Sequence, residues 1–137
     1  MKTAVIYWSG TGNTEQMASA IAEGAGAELF TISEFSGDIA AYDRIAFGCP
    51  AMGDEVLEES DFEPFFSDVE GTLNGKTIAL FGSYGWGDGQ WMREWTERVT
   101  GEGATVVNGE GLICQETPDD AMIEECKNLG KALAANA

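Results

Sequence analysis

The chain of 137 residues is strongly acidic, with 24 Asp and Glu against seven Lys and Arg and a formal net charge of −17 at pH 7. A field of that sign repels nucleic acids and anionic membranes and attracts basic proteins, so nucleic-acid binding and membrane association are not expected. The chain has no histidine, which excludes histidine-ligated metal sites and histidine-based catalytic triads. Its length and its 44% hydrophobic residues predict one domain over residues 1–137.

The cysteines give no sign of a metal site or of a disulfide framework. Cys49, Cys114 and Cys126 are widely spaced, without the paired motifs of zinc or iron–sulfur sites. We predict three buried thiols in the reducing cytoplasm, because an odd number of cysteines does not suit a disulfide scaffold. The first residues lead directly into a predicted strand, so neither a signal peptide nor a membrane span is expected.

Apolar runs and helical patterns alternate along the chain. Residues 2–8 form an apolar run typical of a strand buried on both faces, and residues 14–24 follow with an apolar stripe at helical spacing. The next predicted elements are a strand over residues 28–32, a helical turn over 37–41, a strand over 44–49, a helix over 61–71 and a strand over 76–82. They are followed by a helix over residues 90–100, a last strand over 104–107 and 111–114, and a helix over 119–135. Turn chemistry at Asn108 and Gly109 interrupts the last strand.

This alternation predicts an α/β fold, an open five-stranded parallel sheet with helices on both faces. Ligands of such sheets bind outside the carboxyl ends of the strands, where the strand order reverses. Three unusual loops fall at such ends, over residues 9–14, 50–58 and 83–89. We therefore expect these three loops to share one site.

The first loop is typical of a phosphate site without a cation. Glycines and hydroxyls follow a strand and lead into a helix, whose N-terminus offers backbone N–H groups to an anion. The loop has no lysine for a nucleotide-hydrolysing P-loop, and Glu15 occupies the place of the third glycine of a dinucleotide fingerprint. The alternative is an ordinary turn in which Asn13 or Thr14 caps the helix. The candidate phosphate-binding residues are Ser9, Gly10, Thr11, Gly12, Asn13 and Thr14.

The other two loops have the residue types of a site for a planar ring. Trp86 lies between two glycines, which indicates an indole displayed for stacking; the alternative is that it covers the core. Trp91 and Trp95 follow at helical spacing and are predicted to pack in the core or a surface groove. Met52 offers a thioether for contact with a ring, or it belongs to the core.

Three segments carry a resemblance to a known family. They read Tyr-Trp-Ser-Gly-Thr-Gly-Asn-Thr at residues 7–14, Ala-Met-Gly-Asp-Glu-Val-Leu-Glu-Glu-Ser at 51–60 and Phe-Gly-Ser-Tyr-Gly-Trp-Gly-Asp-Gly at 81–89. In this order they resemble short-chain flavodoxins of the type found in clostridia and related anaerobic bacteria. The resemblance implies a flavodoxin-like fold, the strand order 2-1-3-4-5 known for that family, and one non-covalently bound FMN. It also implies a low-potential one-electron carrier that shuttles between semiquinone and hydroquinone.

The resemblance assigns roles to residues of the three loops. Ser9, Thr11, Asn13, Thr14 and the loop amides would bind the FMN phosphate, toward which Ser83 would also reach. Met52 and Trp86 would cover the two faces of the flavin ring. Gly53 would turn its carbonyl toward the flavin N5–H on one-electron reduction, and Glu55 would bind the pyrimidine end; Asp54 and Glu55 are otherwise an ordinary acidic run. The remaining candidates in these loops are Pro50, Ala51, Asp54, Tyr84, Gly85 and Gly89.

The chain departs from the family at two places. Pro50 stands where some members have serine, which removes one possible hydrogen bond to the ligand. Residues 25–43 form a shorter segment than in relatives. Neither departure touches the predicted ring-binding residues.

The expected partners are redox proteins with basic patches, such as reductases and iron–sulfur or flavin oxidoreductases, which would dock on a monomer at the exposed flavin edge. No catalytic residue and no metal ligand is predicted. The alternative is an FMN-dependent reductase of quinones or other small acceptors on the same fold. A third hypothesis is a module without redox chemistry that binds a phosphorylated ligand.

Overall fold

The computed structural model describes residues 3–10, 12–35, 37–52, 56–85 and 87–135. The strands are β1 (Thr3–Tyr7), β2 (Glu28–Thr31), β3 (Arg44–Gly48), β4 (Thr77–Tyr84), β5 (Thr105–Val106) and β6 (Leu112–Gln115). The α-helices are α1 (Asn13–Ala25), α2 (Phe62–Val69), α3 (Gln90–Gly101) and α4 (Asp120–Ala135). Short 3-10 turns lie at Ile39–Ala41, Glu70–Thr72 and Val107–Gly109.

The strands form one parallel sheet in the order β2-β1-β3-β4-β5, which confirms the predicted order. The fifth position is shared by two short strands, because β5 pairs with the start of β4 and β6 with its end. Asn108, between them, has a left-handed backbone with φ of 64°. The prediction of an interrupted last strand is thereby confirmed.

Each of the central strands sends alternate side chains to opposite faces of the sheet. Ala4 and Ile6 of β1 join the core beneath α2 and α3, whereas Val5 and Tyr7 join the core beneath α1 and α4. The helices therefore cover both faces, and the central strands are buried on both sides. That burial explains why these strands read as continuous apolar runs.

The two faces differ in how the helices pack. A Cβ on Gly24 of α1 would overlap the carbonyl oxygen of Lys127 in α4, and one on Gly130 of α4 would overlap that of Ile21 in α1. The backbones of α1 and α4 thus touch through glycines. The other face is filled by buried aromatic side chains, namely Phe47, Phe62, Phe66, Trp91 and Trp95.

Some predicted boundaries differ from the structure. β4 runs to Tyr84 rather than ending at residue 82, because Ser83 and Tyr84 pair with β6. The helix predicted over residues 61–71 is α2, which ends at Val69 and continues as a 3-10 turn. The three cysteines are free and buried, as predicted. Within the described ranges, no helix combines the length and the apolar character that crossing a membrane requires.

Candidate cofactor site

The loop after β1 is shaped by the hydroxyl of Ser9. Its oxygen accepts hydrogen bonds from the backbone N–H groups of Gly12 at 3.1 Å and Glu15 at 3.3 Å. Helix α1 starts at Asn13, and its N-cap is Gly12, with φ of 97° and no side-chain cap. The alternative in which Asn13 or Thr14 caps the helix is therefore wrong.

The start of α1 fits a phosphate group. The N–H groups of Asn13 and Thr14 lie in the first turn of the helix, where no preceding helical turn supplies a carbonyl acceptor. Among the described residues, none accepts a hydrogen bond from them. The side-chain oxygen of Asn13 accepts from the Thr117 hydroxyl at 3.2 Å, which leaves its amide hydrogens available as donors. Neutral donors at a helix N-terminus are suited to an anion.

Thr14 and Ser83 form a buried pair between this loop and β4. Their side chains are only 1% and 5% exposed, their hydroxyl oxygens lie 2.8 Å apart, and the Ser83 N–H donates to the Thr14 hydroxyl at 3.3 Å. The bond between the hydroxyls uses one of their two hydrogens, so one remains as a donor. This pair joins the end of β4 to the loop over residues 9–14, the phosphate loop.

The loop after β3 is closed at its base by a pair of backbone hydrogen bonds. The Met52 N–H donates to the Val56 carbonyl at 2.8 Å, and the Val56 N–H donates to the Met52 carbonyl at 3.0 Å. Met52 is 40% exposed and Val56 is 37% exposed. The alternative that Met52 belongs to the core is therefore wrong, and its thioether is free to contact a ligand.

Glu58 anchors this loop to α2, a role that sequence reasoning missed. Its buried carboxylate accepts from the N–H groups of Ser60, Asp61 and Phe62 at 2.9, 2.7 and 2.8 Å. Burial by itself raises the pKa of Glu58, but the three backbone donors outweigh burial, and the pKa lies below its ordinary value. The sequence did contain a signal for this role, because Glu58 stands just ahead of the predicted helix, where a carboxylate can accept bonds from the first N–H groups.

The two ring loops, residues 50–58 and 83–89, follow strands whose ends meet near Cys49. The Cys49 thiol accepts from the Glu58 N–H at 3.3 Å, and its carbonyl accepts from the indole N–H of Trp91 at 3.3 Å. The Tyr84 ring lies 5.4 Å from the Trp91 ring. Trp91 and Trp95 are buried, which confirms that they belong to the core.

A fourth loop, residues 115–117, reaches the same place and was not predicted. The Glu116 N–H donates to the Tyr84 carbonyl at 2.8 Å, and the Gln115 amide donates to the Gly85 carbonyl at 3.5 Å. The Thr117 hydroxyl bonds Asn13 of the phosphate loop. The sequence could have indicated this loop, because the segment follows the last predicted strand and so lies at the same edge of the sheet as the other three loops.

These loops surround a cleft of about 220 Å³. It is lined by Trp8, Gly10, Asn13, Pro50, Ala51, Met52, Ser83, Tyr84, Gly85 and Glu116. All but Trp8 and Glu116 were predicted as site residues. None of the described lining residues carries a positive charge.

Other predicted residues lie beside the cleft. Ser9 and Gly12 line a cavity of about 570 Å³ on the β2 side, which shares Trp8 and Gly10 with the cleft. This larger cavity touches neither ring loop, so the smaller cleft is the better candidate site. Gly89, with φ of 93°, caps α3 and lines a separate cavity. Thr11, Gly53, Asp54, Glu55 and Trp86 lie outside the described residues.

The strand order defines a doubly wound α/β protein, and the loops that line the cleft lie at the β1/β3 switch point, where such folds bind their ligands. The flavodoxin family model matches residues 5–130. The chain is 49% identical over 136 residues to the flavodoxin of Clostridium beijerinckii, with 95% of this chain and 97% of that protein covered. The chain belongs to the flavodoxin family.

Solved structures agree with this assignment. The two-electron reduced flavodoxin of Megasphaera elsdenii aligns with a TM-score of 0.82 at 47% identity, covering 96% of this chain and 98% of that one. Oxidised flavodoxin 1 of Bacillus cereus aligns with a TM-score of 0.85 at 31% identity, covering 100% and 99%. The cofactor is FMN and the chain is an electron carrier, which confirms both predictions; the reductase alternative is not favoured.

Proposed function

We propose that the chain carries single electrons between proteins while FMN lies in the cleft, and that it has no small-molecule substrate of its own. The observation that supports this most is the start of α1, which carries no positively charged side chain and lies beside a cleft lined by residues of both ring loops. Bound FMN would supply the one-electron chemistry. The chain would bind it, orient it and set its electrostatic surroundings.

The phosphate would lie at the start of α1. Among the described residues, its hydrogen-bond donors would be the N–H groups of Asn13 and Thr14, the side-chain amide of Asn13, and the free hydroxyl hydrogen of the Thr14–Ser83 pair. Ser9 would contribute by fixing the loop, since its oxygen already accepts two N–H groups. Thr11 is proposed as a further ligand on the strength of the resemblance.

The ring would lie between the two ring loops. Met52, exposed beside the cleft, would cover one face, and Trp86 would cover the other. The Gly53 carbonyl would accept the N5–H, and Glu55 would bind the pyrimidine end. The hydrogen bonds between Met52 and Val56 would hold the base of this loop while the Gly53 peptide reorients.

The negative charges of the phosphate and of the chain would make the reduced protein a strong electron donor. A phosphate bound by neutral groups keeps its negative charge, and the chain adds a net charge of −17. Both oppose a further negative charge on the ring. The same field would steer electron-transfer partners with basic patches toward a monomer. The free, buried thiols fit a reducing compartment such as the cytoplasm.

The test is an anaerobic reductive titration of the protein reconstituted with FMN. We expect two separated one-electron steps, with the half-reduced, blue form accumulating between them, and no steady oxidation of NADH or NADPH by the protein alone. Trp86→Ala should weaken FMN binding, and Gly53→Val should lower the yield of the blue form. Steady NAD(P)H oxidation would contradict the carrier proposal, and a protein that takes up no FMN would contradict the cofactor assignment.

A further inference from the structure

We infer that residues 115–117 form a fourth cofactor-binding loop, in which Glu116 opposes full reduction of the bound cofactor. The inference rests on the proposed function, because it requires FMN in the cleft. It concerns a segment that none of the three predicted loops includes. Glu116 lines the cleft together with residues of all three of those loops.

The backbone of Glu116 is the first observation. Its φ is 60°, and the one other described non-glycine residue with a positive φ is Asn108. Asparagine tolerates the left-handed region because its short side chain bonds locally, whereas glutamate rarely adopts it. Such backbone strain persists where the surroundings enforce it, and it concentrates at functional sites.

The surroundings of Glu116 do enforce it. Its N–H donates to the Tyr84 carbonyl at 2.8 Å, and its carbonyl accepts from the Cys114 thiol at 3.6 Å. The loop is also held by buried neighbours, Cys114 before it and Pro118 after it. The left-handed residue is therefore fixed on both sides.

The neighbours of Glu116 connect the two ends of the site. Gln115 bonds the carbonyl of Gly85 in the ring loop, and Thr117 bonds the side chain of Asn13 in the phosphate loop. Glu116 lies between these two contacts. The fourth loop thus spans the cleft from its phosphate end to its ring end.

The charge of Glu116 has no positive neighbour among the described residues that line the cleft. Bound FMN would supply two one-electron steps, of which the second would leave a negative charge on the ring. A nearby carboxylate therefore opposes the second reduction more than the first. Glu116 would lower the potential of the second step and leave the first almost unchanged.

The charge is tested by Glu116→Gln, with Glu110→Gln as the matched control. Glu110 is exposed and lines two other cavities but not the cleft. At a fixed solution potential, we expect Glu116→Gln to raise the ratio of fully reduced to half-reduced protein by about three- to tenfold, an effect that diminishes with added salt. Equal ratios in the two variants would overturn the role of the charge.

The backbone strain is tested without cofactor, by urea unfolding of the apoprotein. Glu116→Gly and Glu116→Asn should raise the midpoint above that of Glu116→Gln, because both residues suit a left-handed backbone. Identical midpoints would overturn the assignment of strain.

The binding role of the loop is tested by Thr117→Val, which removes the bond to Asn13. FMN binding should weaken several-fold, while riboflavin, which lacks the phosphate, should bind almost as before. Unchanged FMN affinity would overturn the fourth-loop assignment. These failures differ from failure of the proposed function, in which the unmutated protein would bind no FMN or show no separated reductions.

Discussion

The two faces of the sheet are built by different means, and each serves one end of the cofactor site. On one face, α1 touches α4 backbone to backbone through Gly24 and Gly130, and α1 begins in the phosphate loop. On the other face, α2 and α3 pack through large aromatic rings, and each follows a ring loop. The helix behind the phosphate end is thus packed through main-chain contacts, whereas the helices behind the ring end are packed through side chains.

This difference has consequences for mutation. A contact between backbones leaves no room for even one added carbon, so the face of α1 and α4 should be sensitive to enlargement. A face filled by large side chains should be sensitive to truncation, because cavities form where rings are removed.

The largest effect is expected from Phe66→Ala on the aromatic face. The buried Phe66 ring lies 5.2 Å from that of Phe47 and 5.6 Å from that of Trp95, so truncation leaves a cavity. The free energy of unfolding should fall by about 3–5 kcal/mol in urea denaturation. Phe65→Ala, at a partly buried position, is the control and should lose less. A loss below about 1 kcal/mol for Phe66→Ala would contradict this account.

Gly130→Ala should have the next largest effect, on the opposite face. The added Cβ would meet the carbonyl of Ile21, so α4 must move away from α1, at about 2–3 kcal/mol. The matched control is Gly101→Ala at the end of α3, where a Cβ meets nothing. It should be neutral or stabilising by up to about 1 kcal/mol. Equal stability of the two variants in thermal or urea unfolding would contradict close helix packing.

Glu58→Gln should destabilise the stem of the ring loop by about 1–3 kcal/mol at neutral pH, because an amide has one acceptor oxygen where the carboxylate has two. The pKa of Glu58 is lowered on folding from about 4.5. Its stabilisation is therefore complete above that value and is lost as the pH falls through the lower folded-state pKa. Urea denaturation across acidic pH should show the two proteins converging. A difference that stays constant with pH would oppose this role for the carboxylate.

The smallest effect is expected from Arg98→Lys, which weakens the ion cluster between α2 and α3. The Arg98 guanidinium makes two bonds to Glu63 at 2.8 Å, bonds Glu70, and lies 5.0 Å from the centre of the Phe66 ring. A lysine cannot reproduce this fork, and the expected loss is about 1 kcal/mol. The loss should shrink in high salt. A variant as stable as the unmutated protein at low salt would show that the cluster contributes nothing.

Much of this protein could be predicted from local patterns. The helices could be recognised because burial of one face imposes a period of 3.6 on apolar residues, and the central strands because burial on both faces makes them continuous apolar runs. Asn108 marked the break in the last strand. The three predicted loops could be recognised because loops rich in glycine and hydroxyls, or with a tryptophan between two glycines, are uncommon after strands. The end of β4 was misplaced at residue 82, since its extension depends on pairing with β6, which lies far along the chain.

The sequence by itself therefore determined the elements, the acidic field and the chemistry of the three loops, because these depend on residue type and short-range spacing. Only the tertiary structure decided how the loops are joined. The Thr14–Ser83 pair links residues 69 apart, and the Thr117–Asn13 bond links residues 104 apart. Such contacts depend on which strands become neighbours and how far each strand extends. The fourth loop and the left-handed Glu116 became visible only once the sheet had assembled.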